Sequence, residues 1–298
     1  MSLACIHTHT VFCDGKDDIE TFCRVAYEKG LKSLGFSAHA PIFAKTGIRT
    51  AWHLKDERLE GYLESVRSAK KRWEGKLPVY LGLEVDFING ITGPADKDYR
   101  EMGLDYIIGS VHYVVPPKGE PFTVDDTLEI VEQGIKDGFS GDPMGMVELY
   151  LDSEEAMIRA GGLDVLGHPD IVKLHNEGNK FFNPQSSFYL KRIAALATIL
   201  AEADIPSEIN TGGFNRDKIN ECYPSIDFLK CLRKQNVPIV INADAHRAEE
   251  LDGHYEDAIK TMLEAGYTET VLFKGKVNGK AVWKNHNLSL SLLLNSRK

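Results

Sequence analysis

A regular alternation restricts the fold more than any other feature: short apolar runs, each followed by a stretch with helical periodicity. Seven runs read as strands, at 3–7, 33–39, 79–87, 106–112, 164–168, 207–210 and 238–243. Helical patterns lie between them, at 18–29, 54–73, 123–139, 142–160, 186–203, 223–235 and 255–265. In the first helix Ile19, Phe22, Val25 and Ala26 repeat at the 3.6-residue period, and Gly30 stands where a C-terminal cap belongs. Thr123-Val124-Asp125-Asp126 reads as an N-cap followed by first-turn acids. Strand–helix units over an undivided chain argue for a closed or nearly closed α/β barrel, one domain over residues 1–298. An open doubly wound sheet is the second choice, weakened because no G-x-G-x-x-G follows the first strand. Past residue 265, 269–273 reads as a further strand, followed by 274–283. The apolar tail 288–294 is expected on the barrel exterior or against another subunit.

A chain of 298 residues buries roughly three-quarters of its unfolded surface, so its core needs no disulfide staple. Its five cysteines are odd in number and form no C-x-x-C pair, as expected of reduced thiols in the cytoplasm. No run of eighteen apolar residues occurs, so no membrane span is expected. The start, Met1 to His7, has no basic segment before an apolar stretch, and no signal peptide is expected. With 35 basic and 44 acidic residues the net charge is −9, which disfavours nucleic acid as an electrostatic partner.

Six of the ten histidines fall at or just beyond the C-terminal end of a predicted strand: His7, His9, His39, His112, His168 and His246. Loops after the strands of a parallel barrel converge at one face, so these imidazoles are expected to meet there. Three carboxylates share that level. Asp14 follows the first strand, Glu84 interrupts an apolar run in the third, and Asp244 precedes His246 by two residues. An ionised carboxylate inside an apolar strand is costly unless it meets a cation. Imidazole plus carboxylate without thiolate suits zinc, iron or manganese in a hydrolytic site. Nine donors exceed the capacity of one ion, so two or three divalent metals are expected, the geometry that clamps a phosphate ester.

The motifs then carry a resemblance. His7-Thr8-His9-Thr10 resembles the opening H-x-H of the PHP (polymerase and histidinol phosphatase) superfamily. Ser37-Ala38-His39-Ala40-Pro41, Leu83-Glu84-Val85-Asp86, Gly109-Ser110-Val111-His112, Gly167-His168-Pro169-Asp170 and Asn242-Ala243-Asp244-Ala245-His246 resemble its later motifs, in order. Within it, the chain is most similar to the histidinol-phosphate phosphatases, through His39-Ala40-Pro41, Ser110-Val111-His112-Tyr113 and Glu208-Ile209-Asn210-Thr211-Gly212-Gly213 with Tyr223-Pro224-Ser225. The resemblance implies a distorted (β/α)7 TIM-like barrel and a three-metal site. It places His7, His9, Glu84 and Asp244 on a first metal, and Glu84, His112 and His168 on a second. The third falls to Asp14, His39 and His246, with Asp14 standing where other members carry histidine.

The expected reaction is hydrolysis of L-histidinol phosphate, a small-molecule phosphate ester of histidine biosynthesis, by a metal-bridging hydroxide. Glu84, Asp244 and His246 are the expected catalytic residues, His246 also being a candidate acid for the leaving group. Arg216, just after the sixth strand, is the expected phosphate contact, with Lys173 a second candidate. The loop 41–53, with Phe43, Arg49 and Trp52, is a candidate lid over the imidazole end of the substrate. Two other readings keep the metals: a nuclease or nucleotide phosphoesterase, and a regulatory module without turnover.

Overall fold

The computed structural model describes residues 3–43, 46–48 and 50–288. In chain order its elements are α1 (Ile19–Glu28), β1 (Leu34–Phe36), α2 (Leu59–Arg72), β2 (Val79–Asp86), α3 (Lys97–Arg100), β3 (Tyr106–Ser110), β4 (Tyr113–Val114) and β5 (Phe122–Thr123). Then come α4 (Leu128–Phe139), α5 (Pro143–Ala160), β6 (Val165–Leu166), α6 (Ser187–Ala203), β7 (Ser207–Asn210) and α7 (Gly212–Asn215). The last are α8 (Ile226–Lys234), β8 (Ile239–Asn242), α9 (Tyr255–Glu264), β9 (Glu269–Val277) and β10 (Lys280–Asn287). One sheet runs β1-β2-β3-β6-β7-β8 with every pair parallel.

The opening segment joins the two edges of that sheet. Cys5 N–H donates to Ser33 O and Gly35 N–H to Cys5 O, while His9 N–H donates to Ala245 O and Ala245 N–H to His7 O. Seven parallel segments therefore surround one axis, the distorted barrel that the resemblance implies. The first is not the strand expected at 3–7; it makes only isolated bridges at Cys5 and Thr8. Side chains explain the interruption. Ile6 N–H donates to Asn242 Oδ1 and Thr8 N–H to Ser37 Oγ, where a regular ladder would use carbonyls.

Period-two alternation sorts the strand residues. Along β2, Val79, Leu81, Leu83 and Val85 join the large outer core under the helices. Tyr80, Gly82, Glu84 and Asp86 take the other face. Inside the ring, Ile6, Tyr106, Ile108, Val165 and Val240 form an apolar layer completed by Val271 and Phe273 of β9. The β9–β10 hairpin thus closes the end where the strands begin, with the Phe273 ring 4.9 Å from Tyr80 and 5.4 Å from Tyr106. Asn278 and Gly279, both at positive φ, make its turn, the dipeptide that two-residue hairpins favour. The sequence predicts a strand at 269–273 but not this pairing; of the tail 288–294 only the buried Leu288 lies within the described residues.

Asp18, Asp142 and Ser186 cap α1, α5 and α6, accepting from the N–H of Thr21, Met144 and Tyr189. The helix expected from residue 123 begins later, at Leu128, with Thr127 at its N-cap. Thr123 is drawn instead into β5, paired with Tyr113 of β4. Asp125 and Asp126 consequently sit in a loop rather than a first helical turn. Among the described residues no helix is long and apolar enough to cross a membrane.

Tyr106 fills the ring interior because Gly82 leaves room: a Cβ there would lie 2.4 Å from its phenol carbon. Since the Tyr106 ring is fully buried, Gly82→Ala should cost about 1–3 kcal/mol by overpacking. Urea unfolding reads this directly, and a midpoint unmoved by the substitution would remove Gly82 as a packing requirement.

Candidate metal centre

Each segment of the ring delivers a polar side chain to the end where the strands finish. His7 and His9 come from the opening segment, His39 from beyond β1, Glu84 and Asp86 from β2, and His112 from beyond β3. His168 follows β6, Glu208 and Asn210 lie in β7, and Asp244 and His246 follow β8. Asp244 takes a left-handed backbone, φ +50°, a region Asp enters more readily than most residues.

Glu84, only 1% exposed, is the hub. Its Oε2 lies 3.3 Å from His7 Nε2, 3.5 Å from His9 Nε2 and 2.8 Å from His39 Nδ1. Its Oε1 lies 2.9 Å from His168 Nε2 and 3.6 Å from His112 Nε2, and accepts from Ser110 Oγ–H at 2.7 Å. Asp244 Oδ1 is 3.1 Å from His9 Nε2 and 3.7 Å from His7 Nε2. Asp14 completes the far side, Oδ2 3.0 Å from His246 Nε2 and Oδ1 3.7–3.8 Å from His9 and His39. Gly167 allows β6 to approach: a Cβ there would be 2.3 Å from Ser110 Oγ.

All nine expected ligands are thus brought together. Donors within 4.8 Å of one another form the sets His7-His9-Asp244, His7-Glu84-His168, His39-Glu84-His112 and His9-Asp14-His39-His246. The expected third set recurs with His9 added, whereas His112 and His168 fall into separate sets joined through Glu84.

Several of these atoms lack any hydrogen-bond partner although they are buried: His7 Nε2, His9 Nε2, His39 Nδ1, Glu84 Oε2 and Asp14 Oδ1. Orphaned polar atoms in a dry interior are expensive, and here they face one another. Divalent cations fit such a site, since nitrogen and oxygen donors converge and a second layer orients them. Burial and the neighbouring Asp14 push the thiol of Cys13 up to about 12.

That second layer escaped the sequence reading. His7 Nδ1–H donates to Glu208, 2.9 Å away, leaving Nε2 to face the centre. Glu208 also accepts from His168 N–H, Asn210 Nδ2–H and Asn242 Nδ2–H. His112 Nδ1–H donates to Asp86 Oδ1 at 2.8 Å, and His53 Nε2–H to Asp86 Oδ2 at 2.7 Å. Both acids had a visible signal, an inward position two residues from another inward polar residue: Asp86 beside Glu84, and Glu208 beside Asn210. His53, in a loop, had none.

Charge follows this geometry. Burial opposes ionisation of Glu84, yet His7, His39 and His112 hold its carboxyl well below the usual range. Burial also opposes ionisation of Asp244, which Arg216 and His7 nevertheless keep ionised. Burial together with the imidazoles of His39 and His246 lowers His9 to about 3, so it is neutral. Burial would lower His112 too, but Asp86, Asp125 and Glu84 raise it to about 10.

Above the centre lies a cavity of about 770 Å³, walled by Glu84, His112, His168, Asp244 and His246 among others. Arg216 lines it, its guanidinium 3.0 Å from Asp244 Oδ2 and 3.1 Å from His246 Nδ1. Lys173 does not. It lines a neighbouring cavity, where its ammonium donates to Cys222 O and pairs with Glu221 at 3.2 Å. The acids around it hold it away from the centre, which corrects the expectation of a phosphate contact. Of the candidate lid, Trp52 lines the cavity 4.5 Å from the His39 ring, while Phe43 stacks on Tyr99 at 5.5 Å. Arg49 lies outside the described residues.

A relative in Deinococcus radiodurans named "Probable histidinol-phosphatase" is 27% identical over 269 residues, 90% of this chain and 95% of the relative. The histidinol-phosphatase of Bacillus subtilis is 26% identical over 267 residues, 84% of this chain and 96% of the relative. Among solved structures, a candidate histidinol phosphatase from Listeria monocytogenes superposes with a TM-score of 0.75 at 20% identity, covering 85% of this chain and 99% of its own. The histidinol phosphate phosphatase of Lactococcus lactis, complexed with zinc, L-histidinol and phosphate, gives 0.62 at 18% identity, covering 94% and 99%. Both share this fold. The PHP domain model matches residues 6–212, more than half of the sequence and nearly the whole ring of donors, and this chain belongs to the PHP domain family.

Proposed function

We propose that the chain hydrolyses L-histidinol phosphate to L-histidinol and phosphate, using the buried donor cluster as a centre for two or three divalent metals. The carrying observation is the set of orphaned, buried nitrogen and oxygen atoms that face one another beneath the open cavity. The names of the two curated relatives and the ligands of the Lactococcus lactis structure support the choice of ester. The donor set accepts zinc, iron or manganese. We also read residues 1–298 as one domain, with the hairpin packed on the barrel, and its free cysteines as fitting the cytoplasm.

His7, His9, Asp244 and Glu84 would hold one ion, Glu84 with His112 and His168 a second, and Asp14, His39 and His246 a third. Such ions supply Lewis acidity, which makes water nucleophilic near neutral pH and offsets charge on the phosphoryl oxygens. The protein's part is orientation. Glu208 and Asp86 fix the tautomers of His7 and His112, and Ser110 fixes Glu84. Arg216 has N–H groups beyond those given to Asp244 and offers them to phosphate at the cavity wall. His246 is more exposed than the other five imidazoles; in place of its role as a ligand, it is our candidate acid for the leaving oxygen.

Phosphate release from L-histidinol phosphate should exceed that from a nucleoside monophosphate or a short oligonucleotide by about tenfold or more. Equal rates would defeat the assignment. Glu84→Gln should strip metal and abolish turnover with the circular dichroism unchanged; fewer than two metals per active chain by elemental analysis would overturn the polynuclear centre. Glu208→Gln is expected to weaken metal binding by about 10–100-fold, read by competition with a chelator. Arg216→Ala should raise KM, and an unchanged kcat/KM would remove Arg216 from the phosphate site.

A further inference from the structure

The cavity above the metal centre has a charge pattern of its own. Lys16, Arg216, Lys218 and Arg247 line it from the loops after the opening segment, β7 and β8. Asp125 and Asp126 line it from the loop between β5 and α4. That loop follows β3, which lies across the ring from the junction of the opening segment with β8. One rim therefore gathers the cationic side chains, beside Asp14, Asp244 and Glu250, while the opposite rim presents Asp125 and Asp126.

The carboxylates lining the cavity are not equivalent. Glu84, Asp14 and Asp244 belong to the donor cluster, and Glu250 accepts from the N–H groups of His246 and Arg247. Asp126 accepts from Thr127 N–H and Thr123 Oγ1–H, while His175 Nε2–H caps its carbonyl at 2.6 Å. Among the described residues Asp125 alone of these has a carboxylate with no hydrogen bond or ion pair. It is half-buried, on the same wall as His112 and the orphaned Glu84. Its neighbour's bonds fix the loop, so Asp125 is presented rather than loose. Its charge acts on the nearby His112, but its oxygens are bonded to nothing and stay open to a cation from the ligand.

We infer that Asp125 is a specificity-determining residue, binding the ammonium group of the substrate while the cationic rim and the metal centre take its phosphate. This deepens the reading of the chain as a histidinol-phosphate phosphatase and rests on it for the identity of the amine. Substrates would then be zwitterionic phosphate esters, in which an ammonium stands a few bonds from the phosphoryl oxygen. An ester lacking that group would leave Asp125 desolvated and unpaired, and such a mismatch is how polar pockets reject analogues.

The test uses the metal-loaded enzyme and two ester pairs differing only in the ammonium: L-histidinol phosphate against imidazolylpropyl phosphate, and phosphoethanolamine against ethyl phosphate. The wild type should prefer the ammonium-bearing member of each pair by about 10–100-fold in kcat/KM. Asp125→Asn should shrink that ratio to about 3-fold or less, through KM, and Asp125→Glu should restore part of it. Calorimetry with L-histidinol and its des-amino analogue reads the same ratio without turnover, and covers the case in which Asp125→Asn fails to fold. A wild type indifferent to the ammonium, or an Asp125→Asn enzyme that keeps the full ratio, overturns the inference. The functional reading fails separately if phosphoethanolamine outperforms L-histidinol phosphate while the ratio still depends on Asp125.

Discussion

A carboxylate buried at the centre of a protein ring sets the terms for everything around it. Glu84 is 1% exposed and has five imidazole nitrogens within 3.6 Å. An isolated charge in such a place would neutralise itself or unfold its surroundings. It stays ionised because the histidines converge on it, and they converge because every segment of the ring ends at the same height. The barrel supplies the convergence, and the charge makes the convergence useful. Asp244, Glu208 and Asp86 repeat the pattern outward, each a buried acid paired to imidazole or guanidinium. The result is a polar layer stacked on the apolar layer of Ile6, Ile108, Val165 and Val240. Neither layer can shift without the other, since both hang on the same strands.

Much of this was legible in the chain. Short apolar runs placed the strands, and β7 occupies the residues read for it. Histidines at strand ends announced the centre because a parallel barrel has only one face at which such ends meet. Glu84 stood out as a charge inside an apolar run. Glu208 did not stand out in this way, because its strand is short and holds the polar Ser207 and Asn210, so its motif was visible but its role was not. What stayed hidden depends on pairings distant in sequence. Thr123 looked like a helix cap because its local pattern is a good one; pairing with Tyr113 overrides it. Lys173 lies close in sequence to His168, yet Asp170 and Glu221 hold its ammonium elsewhere. His53 reaches Asp86 only through the path of a loop, and no periodicity encodes that.

The two sides of the cavity divide the work differently. Toward the opening segment and β8, acids and imidazoles crowd within a few ångströms and leave atoms unpartnered, which is the signature of a cation site. Toward β3 the wall is built from Trp52, His112, His175 and the β5–α4 loop, with ordinary hydrogen bonds satisfied almost throughout. On this second side His112 alone belongs to the donor sets. Substitutions in the β5–α4 loop should consequently be a gentler route to altered preference than substitutions beneath it, because that loop carries none of the donors.

The closure of the ring has a consequence for how the protein is made. His7 and His9 are made before the rest of the ring, but their backbone is fixed by hydrogen bonds with Ala245, and Asp244 is one of their carboxylate partners. Contacts separated by more than 230 residues cannot form until most of the chain exists. A product that stops short of β8 therefore lacks Asp244 and His246, and with them the closure that holds the opening histidines in the ring.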